Sequence, residues 1–268
     1  MVRVDVALAE AGLARSRNQA AALVEANRVI INGRPARKAS QDVPVGAKLE
    51  ILDAVDYVSR AGHKLAKALD EFGALDIVGK QALDVGASTG GFTDVLLRRG
   101  ASHVIAIDVG HDQIVSELLG NPRVTSIEGF NARDLSPNTL AEVLGGSVPK
   151  IELVVADLSF ISLTLVLDGM VSVAPDAEYV LLVKPQFEAG KHSLNAHGIV
   201  VDHRSRADAI EQVASHAEKL GLRIVDLVRS QLPGTHGNIE YVLWMSPNHG
   251  EYLSQWLERI RSLTKETK

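Results

Sequence analysis

Five charged residues from separate stretches of the chain fall at the ends of apolar, strand-like runs. Asp84, Asp108, Asp157 and Lys184 close such runs, and Glu240 lies near the start of another. After Asp84 comes a loop of small residues, Gly86-Ala87-Ser88-Thr89-Gly90-Gly91, then Phe92 and a helix-like pattern. In open α/β sheets ligands bind beyond the carboxyl ends of the strands, so these residues would share one rim. Any one of them alone reads as a solvated surface charge; several on one edge read as a candidate site. The loop is not G-x-G-x-x-G, because Ser88 holds the second glycine position. Asp108 follows at a spacing suited to a ribose hydroxyl, which serves NAD or S-adenosylmethionine equally. An NAD site would set pyrophosphate on the helix N-terminus. S-adenosylmethionine has no phosphate, and its ammonium needs acceptors such as the Asp84 region. The acid two residues before Gly86 therefore favours S-adenosylmethionine, with NAD as the alternative.

The elements that must carry these residues follow from periodicity. Strand-like runs at Ala82–Val85, His103–Asp108, Val124–Glu128, Ile151–Asp157 and Tyr179–Lys184 alternate with helical stretches near 92–99, 111–119, 162–172 and 203–220. Leu65, Leu69 and Phe72 mark one face of an earlier helix. Such alternation predicts a parallel sheet with helices on both faces. Leu222–Val228 and Asn238–Met245 have no helix-length pattern between them, which predicts a hairpin and one antiparallel strand. A helix over about 250–264 closes the chain. Pro185 biases Lys184 towards extended geometry and suits the end of a strand.

The first 56 residues differ. Val4, Ala7, Leu8 and Ala11 have helical spacing, and Gly12 can end that helix. Ser16 followed three residues later by Gln19 is a capping box, so a second helix should start there, and Asn27 can close it. Val29–Ile31 reads as a strand, Asn32-Gly33 as a tight turn, and Lys48–Leu52 as another strand after the turn signal at Val45-Gly46. Arg15, Arg17, Arg28, Arg34, Arg37 and Lys38 give residues 15–38 a charge of +5, against −10 for the remainder of a chain whose net charge is −5. That asymmetry predicts a basic module on an acidic body, with a solvated basic face as the plainer alternative.

The chain of 268 residues is 46% hydrophobic and 23% charged, as expected of a soluble globular protein. It has no cysteine, which excludes disulfides and cysteine-ligated metals and fits a reducing compartment. No signal-peptide pattern or membrane-length apolar run is present, so a cytoplasmic location is expected. The histidines lack ligand spacing, so no metal site is expected. Ser88 lacks the context of a hydrolase nucleophile.

Gly12, Ser16, Arg17, Ala20, Val29, Asn32 and Gly33 resemble the small RNA-binding module named after ribosomal protein S-four, in which arginines meet RNA phosphates. Four further stretches resemble the TlyA family: Ser59 to Leu65, Leu83 to Gly91, Ala156 to Ser162, and Leu182 to Glu188. So does Gly237-Asn238-Ile239-Glu240-Tyr241. The resemblance runs in order over essentially the whole chain. It implies a Rossmann-like class I methyltransferase sheet, mostly parallel with an antiparallel C-terminal hairpin strand, behind a small α+β RNA-binding domain. The expected boundaries are 1–56 for the RNA-binding domain, 57–60 for a linker and 61–268 for the methyltransferase domain.

The resemblance also implies an activity: 2′-O-methylation of a ribosomal RNA ribose, a cytidine in one or both subunits, with S-adenosyl-L-methionine as cofactor. Family members use a Lys-Asp-Lys-Glu tetrad, which falls here on Lys64, Asp157, Lys184 and Glu240. The implied cofactor residues are Gly86 to Gly91, Asp108 and Asn131. Lys184 would take the hydroxyl proton or steer its lone pair, with Asp157 orienting it. Lys64 and Glu240 would place the ribose and its phosphates. His111-Asp112-Gln113 departs from the Tyr-Gly-Gln common in the family, at the edge of the cofactor pocket. Ribosomal RNA or ribosomal subunits are the expected partners, without stable membrane association. The competing readings are a membrane-active haemolysin, which the lack of a span or basic amphipathic helix disfavours, and a non-catalytic ribosome-binding factor. Aromatics make up 4% of the chain, and none stands out as a stacking platform.

Overall fold

The computed structural model describes residues 2–14, 16–25, 28–44, 46–51 and 57–265. The chain divides into two units, Met1–Asp56 and Tyr57–Lys268.

The first unit holds β1 (Val2–Arg3), α1 (Val4–Glu10), α2 (Arg17–Glu25), β2 (Val29–Ile31), β3 (Arg34–Pro35), β4 (Asp42–Val43) and β5 (Leu49–Ile51). Strand β2 is the centre of an antiparallel sheet of order β3-β2-β5, and β1 pairs with β4. Val4 and Leu8 from α1 and Ala20, Leu23 and Val24 from α2 bury their apolar stripes against Val29, Ile31 and Val43. The Ser16 hydroxyl accepts from the Gln19 amide at 3.2 Å, the cap that the spacing predicts. Asn32 (φ 49°) and Gly33 (φ 76°) make the turn, and Asn32 Oδ1 accepts from the Lys48 amide at 2.8 Å, tying the turn to the next strand. Asn27, Val45 and Arg15 lie outside the described residues.

The second unit runs through α3 (Arg60–Phe72), β6 (Gln81–Val85), α4 (Gly91–Arg98), β7 (His103–Ile107), α5 (Ser116–Leu119), β8 (Val124–Ile127), α6 (Pro137–Leu144), β9 (Leu153–Ala156) and α7 (Leu167–Val173). It continues with β10 (Glu178–Val183), α8 (Pro185–Glu188), α9 (His203–Lys219), β11 (Arg223–Arg229), β12 (Tyr241–Ser246) and α10 (Leu253–Lys265). The seven strands lie in the order β11-β12-β10-β9-β6-β7-β8. Strand β12 is antiparallel to both neighbours, and the pairs β10–β9, β9–β6, β6–β7 and β7–β8 are parallel. The order reverses between β6 and β9, the switch point at which such sheets open a crevice. Side chains alternate across the sheet: Leu83 and Val85 enter one core with Leu167, Met170 and Ile210, whereas Ala82 faces the other, with Leu65, Leu69 and Val95.

Two expectations need correction, and one helix goes beyond them. Residues 57–60 are packed into the second unit rather than bridging to it. Tyr57 is buried with the Arg98 guanidinium 5.2 Å over its ring, the Val58 amide donates to Asp94 at 3.0 Å, and Arg60 already begins α3. The stretch 111–119 is helical only from Ser116, because Asp112 sits at φ 54° and breaks the path. Helix α6 was not anticipated, although Ser136 and Thr139 form a reciprocal capping box around a proline at the first helical position.

Candidate active site

The carboxyl ends of β9 and β10, the start of β12 and helix α3 hold four charges as two ion pairs, and the strand-end acids Asp84 and Asp108 belong to neither. Asp157 follows β9 and Lys184 follows β10, and the Lys184 ammonium lies 2.6 Å from Asp157 Oδ1, off-axis for a hydrogen bond. Lys184 also donates to the Ser159 hydroxyl at 2.9 Å. Lys64, in the second turn of α3, donates to Glu240 Oε2 at 2.6 Å, and Gln186 Nε2 donates to Glu240 Oε1 at 3.1 Å. The side chains of Lys64 and Glu240 are only 11% and 2% exposed, those of Lys184 and Asp157 9% and 14%. Charges this deep are tolerated because each has its counter-ion, and removing one partner strands the other.

Two cavities open beside the Lys184–Asp157 pair and share Gly86, Ser88, Asp157 and Ser159, whereas Lys64 and Glu240 line neither. The smaller, of about 260 Å³, is lined by Ser59, Arg60, Ala87, Thr89, Phe92 and Lys184. The larger, of about 500 Å³, is lined by Asp108, Val109, Gln113, Phe130, Asn131 and Phe160. Its chemistry fits an adenosyl group. Asp108 accepts from the amides of Ser88 (2.8 Å) and Gly110 (2.7 Å), which fixes its carboxylate and leaves lone pairs for a diol. Val109 is exposed at 67% and faces the same cavity as Phe130 and Ile161, apolar surfaces suited to a purine. Asn131 caps the turn after β8 through the Arg133 amide at 3.1 Å and lies on the wall.

The glycine loop does two kinds of work. Gly86 forms the floor, where a Cβ would come within 2.8 Å of the Asp157 carbonyl oxygen. Gly90 and Gly91 line neither cavity. Gly90 abuts Leu118, and Gly91 admits α3, with the Gly62 amide 2.9 Å from where a Cβ would stand.

Asp84 also lines neither cavity, contrary to its expected contact with an ammonium. The alternation of β6 turns it towards α4, where Oδ2 accepts from the Thr93 hydroxyl at 2.6 Å and Oδ1 is buried without a bond. Burial, opposed by the Thr93 bond and reinforced by the charges of Asp157 and Asp108, pushes its carboxyl up to about 7. The folded chain thus keeps a proton that the unfolded chain loses near 3.8. Below that value Asp84 has no effect on the pH dependence of stability; from there to about 7 stability falls as pH rises, then levels off. In Asp84→Asn that slope should vanish. The melting temperature of the variant, measured against wild type, should climb with pH across this window, and a constant difference would refute it.

In the first unit Arg34, Arg37 and Lys38 are exposed on and after the β2–β3 hairpin. Arg17 is exposed but pairs with Asp5 at 3.1 Å, and Asp5 also holds Arg3 at 3.0 Å. These bonds, with Arg3 first, hold the Asp5 carboxyl down at about 2. Arg28 is half-buried.

Sequence reasoning missed several residues at the site. Ser159 and Gln186 bond the tetrad, and Gln113 joins its loop to Ser88 by accepting from the hydroxyl at 3.1 Å. Phe160 stands 91% exposed at φ 66°, its ring centroid 5.2 Å from that of Phe187. The detectable signal for Phe160 was its place three residues after Asp157, in a loop otherwise closed by serines.

The family model described as FtsJ-like methyltransferase matches residues 57–246, and the S4 domain model matches residues 2–49. The chain is 47% identical, over 94% of its length and 92% of the relative, to the 16S/23S rRNA (cytidine-2′-O)-methyltransferase TlyA of Mycobacterium tuberculosis. It is 37% identical to Hemolysin A of Brachyspira hyodysenteriae, over 90% of this chain and 98% of the relative. A solved structure described as "Putative hemolysin from Streptococcus thermophilus" superimposes with a TM-score of 0.74 at 35% identity, covering 98% of this chain and 94% of that one. With a methyltransferase model spanning most of its length and relatives matched nearly end to end, the chain belongs to the FtsJ-like methyltransferase family, in its TlyA branch.

Proposed function

We propose that the protein transfers a methyl group from S-adenosyl-L-methionine to the 2′-hydroxyl of a cytidine in ribosomal RNA. The observation that carries this reading is the buried ion pair Lys184–Asp157, whose Asp157 lines both the cavity walled by Asp108 and the smaller one beside it, with a second buried pair, Lys64–Glu240, bonded to the Lys184 segment through Gln186. The cofactor, when bound, supplies a methyl on a sulfonium, which needs an oxygen nucleophile in line with it. Asp108 would hold the adenosyl ribose, with Val109, Phe130 and Asn131 around the base. Gly86 to Thr89 and Phe92 would enclose the rest.

An ammonium has three hydrogens. On Lys184 one is taken by Ser159 while Asp157 lies 2.6 Å away off the bond axis, which leaves a position for the substrate hydroxyl. As the free amine Lys184 would take the 2′-hydroxyl proton on its own lone pair, and as the ammonium it would donate to the hydroxyl and steer the oxygen's lone pair; both roles need Nζ in this place. Holding the oxygen in near-attack geometry is a major contribution to rate. Lys64 and Glu240 would position the ribose and its phosphates. The basic residues of the first unit, Arg15, Arg17, Arg28, Arg34, Arg37 and Lys38, would meet RNA phosphates, which positions an RNA without reading it. No helix among the described residues is long and apolar enough to cross a membrane, and a cytoplasmic location beside the ribosome suits the activity.

A base in a folded RNA must leave its stack for its ribose to reach such a rim. Phe160, exposed and braced by Phe187, offers the face on which the displaced base would stack. Phe160→Ala should lower kcat/KM for RNA roughly tenfold, the worth of one base–aromatic stack, with cofactor affinity unchanged. Phe160→Tyr should retain activity. Steady-state kinetics with both variants checks this, and equal activity of the alanine variant and wild type would dismiss the platform.

The reading is tested by incubating the protein with tritiated S-adenosylmethionine and unmodified small subunits, large subunits or free ribosomal RNA, and counting label in the RNA. Label in one of them identifies the substrate particle. No label in any, despite cofactor binding, would reject ribosomal RNA as the acceptor.

A further inference from the structure

Three consecutive residues, Lys184-Pro185-Gln186, touch both ion pairs of the site. Lys184 closes on Asp157 at 2.6 Å, and Gln186 donates to Glu240 Oε1 at 3.1 Å while Lys64 holds Oε2 at 2.6 Å. Pro185 stands at the first position of α8 and is buried, so the spacing between its neighbours is stiff. A carboxylate only accepts, so the Gln186 carboxamide must present its NH₂ group to Glu240. The other end of that amide, Oε1, is then left buried without a partner among the described residues. An orphaned amide oxygen is costly, and an apolar side chain of equal length would avoid it. Glu240 is confined further by Gly234, where any Cβ would overlap Oε1. Its carboxylate is therefore bonded from α3 and from α8 and lies close against the loop before β12.

We propose that Gln186 is a positioning residue that yokes the two ion pairs, holding Glu240, and through it Lys64, in register with Lys184 and Asp157. The inference rests on the methyl-transfer reading above. It assigns no contact between Gln186 and the reacting atoms; the residue acts through Glu240.

The test compares wild type with Gln186→Met and Gln186→Glu, measuring kcat and KM for RNA and the Kd of S-adenosylhomocysteine. Methionine keeps the length and fills the space but donates nothing. It should cost roughly 10- to 100-fold in kcat, the worth of a hydrogen bond to a charged group, with the Kd within about twofold of wild type. Glutamate keeps the shape but sets a second carboxylate against Glu240. Once protonated it donates again, so the ratio of its rate to that of wild type should rise as pH falls. A Gln186→Met enzyme with wild-type kcat, or a Gln186→Glu ratio that is flat with pH, overturns the proposal. Wild-type protein that methylates no RNA removes the functional reading instead. The Glu240 carboxyl resonance, read by NMR in glutamate-labelled protein, then decides alone: a shift in Gln186→Met supports the yoke and an unchanged resonance overturns it.

Discussion

Lys184→Ala should abolish methyl transfer, by roughly 10²–10⁴-fold in kcat, while S-adenosylhomocysteine binds with nearly wild-type affinity. The expected split comes from geometry. Lys184 lines the smaller cavity, next to Asp157, and does not line the larger one that carries Asp108, Val109 and Asn131. Its loss removes the group nearest the acceptor hydroxyl and spares the adenosyl wall. It also leaves Asp157, 14% exposed, without its counter-ion, and a stranded carboxylate destabilises a fold. A lower melting temperature is therefore expected, and activity must be measured well below it. The double variant Lys184→Ala/Asp157→Ala separates the two effects: it should recover stability and remain inactive. Lys184→Arg keeps the charge, yet a planar guanidinium cannot reproduce three tetrahedral donors, so it too should be nearly inactive. If Lys184→Ala instead lost cofactor binding in calorimetry, the lysine would belong to the cofactor pocket and its proposed role would fall.

The sheet was legible because its strands are marked at both levels that matter. Apolar runs of strand length fixed where β6, β7, β9 and β10 lie, and a charge or glycine at each end fixed where they stop. Strand ends were also the right place to look for chemistry, since parallel topology gathers them on one edge. Lys64 was reached only through resemblance: it lies within α3, where a lysine next to histidine reads as solvated surface. Its burial depends on Glu240, 176 positions away in sequence, which no local pattern reveals. Asp84 failed in the opposite sense. Its position beside the loop suggested the cofactor, but the two-residue period of a strand turned it to the α4 face. Gln186 and Ser159 carried no spacing signal, because their partners are set by tertiary packing. Residues 57–60 were expected as a linker; a tyrosine with an arginine over its ring and a serine fitted against Gly91 instead pack there without any helical or strand period.

Gly86→Ala should do what Lys184→Ala does not, and weaken the hold on the cofactor. Gly86 ends β6 at φ 87°, a region an alanine occupies only at a cost of roughly 1–2 kcal/mol. The new methyl would stand 2.8 Å from the Asp157 carbonyl oxygen and 2.9 Å from Leu158 Cδ2. The carbonyl cannot withdraw freely. The Gly86 amide is bonded to Ile107 at 2.9 Å and the Asp157 amide to Val85 at 3.2 Å, so the ends of β6, β7 and β9 are laced together. Relief must come from the loop, which shifts Ser88 away from Asp108, or from Asp157, which shifts it away from Lys184. The Kd for S-adenosylhomocysteine should therefore rise about tenfold or more, the equivalent of about 1.4 kcal/mol, and kcat should fall even at saturating cofactor. Gly79→Ala is the control. Gly79 has a similar φ of 75° and open space where a Cβ would go, so it should carry the backbone strain and nothing else. Calorimetric titration of the two variants isolates the contact from the strain: a melting loss in both, larger in Gly86→Ala, with weakened binding only in Gly86→Ala, is expected. Wild-type affinity in Gly86→Ala would mean that the loop yields without consequence and that the cofactor rests on some other part of the rim.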